Sequence, residues 1–572
     1  MSGAARGAGV ATPYALVALH PAGVNCSQAG TQEPGAARAP TRLAREPSRI
    51  GDRGGTMTGN NTRALNGSWL ADIVQRAWAH TLHGGSFADG DDFFACGGDS
   101  LAALAAVSEV ATATGLDVPT QWLYEHPLFA DAVRALTAGV DDGLAQILPQ
   151  DRTVAHPLSF QQEGLLRVMD HVRGGHRYQV AYAVELPAKA DEGRLAAAVS
   201  RLGSRHPALT TRVVTDGGRA RQQTASSSPI LLERIRCTAP DDAVPAVGQW
   251  AAATIGLDEP LSRVALIEAG RRRVLALSAH QMVMDPWSWG LVVRDLAVLY
   301  DDPDAEGASP LAYSDYACWQ RQHLSGAVHE HHLKHWSRVA EDYALAGVPL
   351  PRLQGDLSPA GPAARMPLVV PAEHAQALRT AAKVMDASFF EVLLSLFHLA
   401  VGRWSGTSDI LVASATASRT RPGTENIVGF FVNGRFTRTS LDGLRTFGDL
   451  IGHVRDRWRA GDAHCELHLE KVLFDLGAPD LANIKFSVNA IPTLSDLTLA
   501  SRPLNHIPVA GALSARRHIS VGLTPEASGS LSGALTYRTD LLAAPHVQLL
   551  AQEFLTLCAS ATHAPSSARI PR

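Results

Sequence analysis

The 572-residue chain has no surplus of basic charge: 51 Lys and Arg stand against 55 Asp and Glu, for a net charge of -4. Nucleic-acid binders ordinarily carry a basic excess, so that class is disfavoured. No CxxC pair occurs, and Cys26, Cys96, Cys237, Cys318, Cys465 and Cys558 lie far apart. Scattered thiols fit a reducing cytosol better than a disulfide framework, so a cytoplasmic location is the expectation. No run of about 18 apolar residues exists, and no membrane span is expected. No signal peptide is expected either, because Pro13 and Pro21 interrupt the mildly apolar stretch Val10–Val24 and no clean cleavage pattern follows.

What is present is globular in composition. The apolar fraction is 46%, which suffices for a large core. At about 150 residues per domain the length implies several lobes. Residues 1–64 differ from the rest, being rich in Ala, Gly, Arg, Pro and Ser. They read either as a disordered tail or as upstream sequence with Met57 as the true start.

From Ser68 a helical pattern begins. "SWLADIVQRAWAHTL" places Leu70, Ile73, Val74, Ala77 and Trp78 on one face, with Ser68 available as N-cap. The loop "HGGSFADGDDFFACGGDS" leads into "SLAALAAVSEVATATG", and "WLYEHPLFADAVRALTAG" supplies a turn and a last helix. Asp99 is a good N-cap, which puts Ser100 in the first turn of the second helix. An anion attached there meets free backbone N–H groups and the positive end of the helix dipole. "DDFFACGGDSL" followed by "LYEHPLFADAV" resembles the peptidyl carrier domains of nonribosomal peptide synthetases. The resemblance implies that Ser100 carries 4′-phosphopantetheine and that a phosphopantetheinyl transferase is a partner.

Residues 140–156 read as a linker, and beyond them helices and strands alternate, as in layered α/β or α+β folds. "LSFQQEGLL", "SRHPALTTRVV", "YSDYACWQ" and "NIVGFFVNGRFTR" resemble, in order, the first, second, fourth and fifth motifs of condensation domains, and "HCELHLEKVL" more weakly the sixth. The implied organisation is a small four-helix carrier bundle at 65–139 and a two-lobed, chloramphenicol-acetyltransferase-like α/β (α+β) condensation domain, with lobes at 157–335 and 336–563 and a tail at 564–572. In that family donor and acceptor carrier arms enter a tunnel between the lobes from opposite ends.

The third motif departs from the family pattern HHxxxDG. Here it reads HQMVMDP: His280 and Asp285 match, while Gln281 replaces the second His and Pro286 the Gly. Gln has no titratable nitrogen and cannot act as a general base, although it can orient an amine by hydrogen bonding. If the strand persists through Gln281, His280 faces away from the tunnel and reads as a packed histidine. Pro286 cannot supply the positive φ of a Gly, which suggests a remodelled turn, with Trp287 and Trp289 narrowing the tunnel. Asp285 is implied to be a buried ion-pair partner, with Arg438 the candidate counter-ion. Asn433 reads as structural or tunnel-lining, and Gly434 stands where the family usually has Thr. In "HEHHLKHW", His331 and His335 have a metal-like i, i+4 spacing, but a solvated helix face is the preferred reading and no metal is expected.

Two functions stay open. In one, Gln281, His280 and Asp285 line a working site that joins the Ser100-bound acyl group to an amine from a further carrier domain or from solution. In the other, the condensation-like domain is silent and recruits loading or tailoring enzymes. No adenylation domain is recognisable, so loading by a trans-acting adenylation domain is expected.

Overall fold

The computed structural model describes residues 67–570 apart from short stretches, the longest being 139–145, 172–177, 344–360, 489–497, 508–513 and 563–567. The tail expected at 1–64 lies outside the described residues. Four helices, α1 (Gly67–Thr81), α2 (Ser100–Thr114), α3 (Gln121–Glu125) and α4 (Phe129–Ala138), form the first unit. Leu70, Ile73, Val74, Ala77 and Trp78 are all buried, as the spacing requires. Trp78 takes Phe87, Phe93 and Phe129 edge-on, with ring centroids 5.1–5.4 Å apart. Helix α1 starts at Gly67, so Ser68 falls at its second position rather than before it. Asp99 falls outside the described residues, and α2 opens at Ser100.

The rest of the chain builds two lobes. The first comprises β1 (His156–Pro157), α5 (Phe160–His171), β2 (Gln179–Glu185), α6 (Glu192–Arg205), β3 (Thr211–Asp216), β4 (Arg219–Thr224), β5 (Leu232–Cys237), α7 (Ala243–Ala252), β6 (Ser262–Ala269), β7 (Arg272–His280), α8 (Pro286–Asp301) and α9 (Tyr313–His323). Helix α10 (Gly326–Ala340) leads to the second: β8 (Gly361–Val370), α11 (Ala372–Val384), α12 (Phe389–Ser405), β9 (Asp409–Thr416), β10 (Asn433–Ser440), α13 (Phe447–Ala460), α14 (Leu469–Asp475) and β11 (Ile484–Val488). Short strands β12 (Thr498–Leu499), β13 (Arg502–Pro503), β14 (Asn505–Ile507) and β15 (Ser514–Ala515) precede β16 (Ile519–Pro525), β17 (Leu531–Arg538) and α15 (Ala544–Ser560).

The two large sheets have the orders β14-β2-β7-β6-β5 and β10-β9-β11-β16-β17-β8-β15, beside the small sheets β1-β4-β3 and β12-β13. The lobes interlock through the chain itself. Strand β14, from the second half, pairs with β2, and Ile427, Val428, Phe430 and Phe431 are buried in the first lobe's core. Both mixed sheets are covered by helices, the layered α/β arrangement that the motif order implied.

Helix α12 anchors the second lobe. Its start is a capping box: the Ser388 hydroxyl accepts the Glu391 N–H at 3.1 Å, and Glu391 accepts the Ser388 N–H at 2.7 Å. It ends on Gly406 at φ 71, the left-handed geometry a glycine adopts without strain. Within it His398 is fully buried with neither ring nitrogen hydrogen-bonded to a described residue, and burial pulls its pKa down to about 3. The unfolded chain therefore takes up a proton below about pH 6.5 that the folded chain refuses until about pH 3. Unfolding free energy should fall as pH drops through that window. Urea melts at pH 7 and pH 5 check this, and His398→Leu should flatten the slope.

Candidate functional site

Strand β7 carries the variant motif to the seam between the lobes. It ends at His280, paired with Gln179 of β2, and Gln281–Val283 form a single 3-10 turn. The paired residues end at Gln179 and His280, although the Gln281 N–H still donates to the Tyr178 carbonyl at 2.7 Å; the His280 Nδ1 atom accepts the Met282 N–H at 3.2 Å and caps the turn that follows. His280 is buried, and desolvation lowers its pKa to about 4. It is thus neutral at pH 7 and occupied with its own backbone.

Gln281 instead lines a cavity, together with Val180, Tyr182, Met284, Asp285, Pro286, Phe430 and Val432. The interior is about 10 Å³, room for roughly one water molecule. Gln281 is only 7% exposed, yet its side-chain amide makes no hydrogen bond to any described group. Trp289 backs the wall by stacking on Tyr182, with centroids 4.1 Å apart. Trp287 turns away, its indole N–H donating to the Glu425 carbonyl at 2.8 Å.

Asp285 is fully committed. Its Oδ1 accepts the Ser288 N–H at 2.7 Å, capping α8, and its Oδ2 accepts the Phe431 N–H at 3.0 Å. The Arg419 guanidinium meets both oxygens at 3.2 and 3.3 Å. Arg419, not Arg438, is therefore the counter-ion; Arg438 pairs with Asp409 at 2.7 Å on β9, one strand away. Arg419 also donates to the carbonyls of Thr424 and Ile427 and to the Ser288 hydroxyl, which in turn donates to the Gly429 carbonyl. This network ties α8 to the segment that crosses back from the second lobe. Gly429 is needed there, because an added Cβ would lie 2.1 Å from the Tyr313 ring.

Pro286 leaves the turn regular, contrary to the remodelling expected from sequence. Asp285 is extended at φ -122 and ψ 172, and Pro286 occupies the first position of α8, where its fixed φ and missing N–H cost nothing. Asn433 holds the backbone: it donates to the Cys465 carbonyl at 2.7 Å and accepts the Leu469 N–H at 2.9 Å. At Gly434 a Cβ would meet the Cδ2 tip of the Leu469 side chain at 2.6 Å, so a larger residue there requires Leu469 to shift. The histidine-rich stretch is solvated only in part: His331 is exposed and His335 half-buried. His332 is buried with its Nδ1 3.2 Å from His464 Nδ1, and His335 stacks on His464 at 3.9 Å, because the 462–464 turn packs on α10.

On the first unit, residues 93–98 form a tight turn that delivers the chain to α2. At Gly98 a Cβ would lie 2.3 Å from the Phe93 ring, while at Gly97, with φ +106, it would meet nothing within 4 Å. Gly98 thus lets the backbone pack closely on Phe93 just ahead of α2. Helix α2 lies against the Thr424–Asn426 turn that Arg419 holds, and α3 against Asp462–His464.

The family model described as "Condensation domain" matches residues 153–569. The chain belongs to that family. A second model, "Phosphopantetheine attachment site", matches residues 72–136 of this condensation-family chain. A linear gramicidin synthase from Brevibacillus parabrevis is 29% identical over 528 residues, covering 86% of this chain and 7% of that much longer protein. Among solved structures, the complex of the X-domain and OxyB from teicoplanin biosynthesis matches at 20% identity and TM-score 0.65, over 75% of this chain and 97% of that one. The first condensation domain of the calcium-dependent antibiotic synthetase, in complex with a substrate analogue, matches at 19% identity and TM-score 0.58, over 74% and 100%. At these identities the structural likeness speaks to the fold. The chain is thus a nonribosomal-peptide-synthetase carrier–condensation didomain, and its carrier is of the kind that bears 4′-phosphopantetheine.

Sequence reasoning missed Arg419 and Tyr182. Arg419 sits in "ASRTRPGTENIVGFF", and a charged residue just before an apolar run was its only signal. Tyr182 lies in an ordinary strand pattern and had none.

Proposed function

We propose that the condensation domain joins an acyl group carried on Ser100 to an amine, and that Gln281 orients the amine without deprotonating it. Ser100 would hold the arm through its hydroxyl oxygen, and the arm supplies the thiol on which the acyl group rides as a thioester. The observation that carries this reading is the unpartnered Gln281 amide, lining the cavity from a residue only 7% exposed. The amide faces the cavity space, so an amine N–H bound there can take the hydrogen bond that water would otherwise make. Of the neighbouring groups, Asp285 in the lining is held in its ion pair, and His280, outside the lining, caps its own turn. Positioning can supply about 7–11 kcal/mol of a barrier by itself, against about 10²–10⁴-fold in rate for general-base help. A free amine and an activated thioester fit that division.

The test is a pH profile. The parent rate should track only the free-base fraction of the amine, about pKa 7.7–8.0 for an α-amino group. Gln281→His should equal or exceed the parent and acquire an imidazole ionisation, while Gln281→Ala should lose about tenfold. A protein ionisation in the parent between about pH 5.5 and 7.5 points to a base elsewhere and contradicts the reading.

A second reading is favoured by the small cavity: room for about one water leaves none for reactants unless the walls part. In that reading the domain presents the loaded carrier to another enzyme, much as the X-domain of teicoplanin biosynthesis is found in complex with OxyB. Amide formation from any pathway amine decides between the two.

A further inference from the structure

Of the eight residues lining the cavity, three have polar side chains: Tyr182, Gln281 and Asp285. Asp285 has both oxygens engaged by Ser288, Phe431 and Arg419. Two groups are left, and neither the Tyr182 hydroxyl nor the Gln281 amide bonds to any described residue. Tyr182 stands on β2 opposite Leu277 of β7, on the same face as Val180, and both line the cavity. Stacking on Trp289, itself buried, fixes the ring plane and leaves the hydroxyl little freedom. Burial also pushes the phenol well above its usual range, so it keeps its proton at any working pH.

We propose that Tyr182 is a further catalytic residue, donating its O–H to the substrate oxygen that gains charge as an amine adds to a thioester carbonyl. This inference rests on the acyl-transfer reading and deepens it. In the step, the amine nitrogen forms a bond to the carbonyl carbon and the carbonyl π pair moves onto oxygen. The oxygen then returns its pair, the C–S bond breaks, and sulfur leaves as the thiol with the proton the amine gives up. The Gln281 carbonyl accepts from the amine N–H while the Tyr182 hydroxyl donates to the oxygen, so the two free groups divide donor and acceptor work. A neutral phenol fixed by its stack on Trp289 is a preorganised donor in a buried site, where such contacts count for more than in water.

Tyr182→Phe keeps the ring, the stack on Trp289 and the wall of the cavity, and removes only the hydroxyl. Its kcat should fall about 10²–10³-fold, the usual cost of one such donor, with KM and thermal midpoint little changed. A second readout needs no turnover and no loaded carrier. Pantetheine methylphosphonate, whose tetrahedral anionic phosphorus imitates the charged oxygen, should bind the parent more tightly than Tyr182→Phe, while pantetheine binds both alike. An active parent with Tyr182→Phe within about twofold of it overturns the proposal. So does equal binding of the phosphonate by both proteins. A parent that makes no amide while still discriminating the phosphonate through Tyr182 removes the acyl-transfer reading and keeps the hydrogen-bonding cradle.

Discussion

Arg419→Met is expected to lower the unfolding free energy of the condensation domain by about 3–5 kcal/mol. The Arg419 and Asp285 side chains are 0% and 2% exposed, so removing the cation leaves a carboxylate buried without its counter-charge. The loss reaches beyond the pair, because Arg419 also holds the Thr424 and Ile427 carbonyls and packs its guanidinium over Phe431, 4.1 Å from the ring centroid. Arg438→Met is the control: its pair with Asp409 is 25% and 41% exposed, and its loss should stay within about 1 kcal/mol. Replacing both members, Arg419→Met with Asp285→Leu, should recover part of the loss, since no unpaired charge is then buried. Chemical denaturation of the three variants, followed by a signal from the condensation domain, checks the order. Equal effects of Arg419→Met and Arg438→Met would contradict the assignment. Because Arg419 shapes the 424–426 turn against which α2 rests, the same variant should also slow delivery of an acyl group from the carrier.

Ser100→Ala should abolish arm attachment and, with it, every carrier-dependent reaction of the chain. The loss is complete because alanine offers no hydroxyl oxygen at the start of α2 to take the phosphodiester bond. The fold should be indifferent to the change: the carrier core rests on Trp78, Phe93 and Phe129, and alanine is a good helix former. Circular dichroism and thermal midpoint should match the parent, while transferase-dependent mass addition disappears. Retention of arm attachment in Ser100→Ala would move the site to another hydroxyl.

Much of this arrangement was legible in the sequence, for identifiable reasons. The carrier helices announced themselves by apolar spacing on α1. Position in the motif order placed Gln281 and Asp285 at one seam. What the sequence withheld were contacts between distant segments. Arg419 and Arg438 lie on either side of the same apolar stretch, and spacing cannot tell which one turns inward; the crossing of 427–431 into the first lobe does. The burial of His332 likewise depends on a turn more than 120 residues away. Pro286 looked disruptive only by comparison with glycine. As the first residue of α8 behind an Asp cap it is favourable.

The most direct measurement is intact-protein mass spectrometry of a chain charged at Ser100 with an acyl-pantetheine arm and mixed with pathway amines. The acyl mass should leave the protein with time, a free-thiol arm should remain on Ser100, and one amide product should accumulate in equal amount. An acyl group that stays on the carrier with every amine, or leaves only as the free acid, would contradict transfer at the Gln281 cavity.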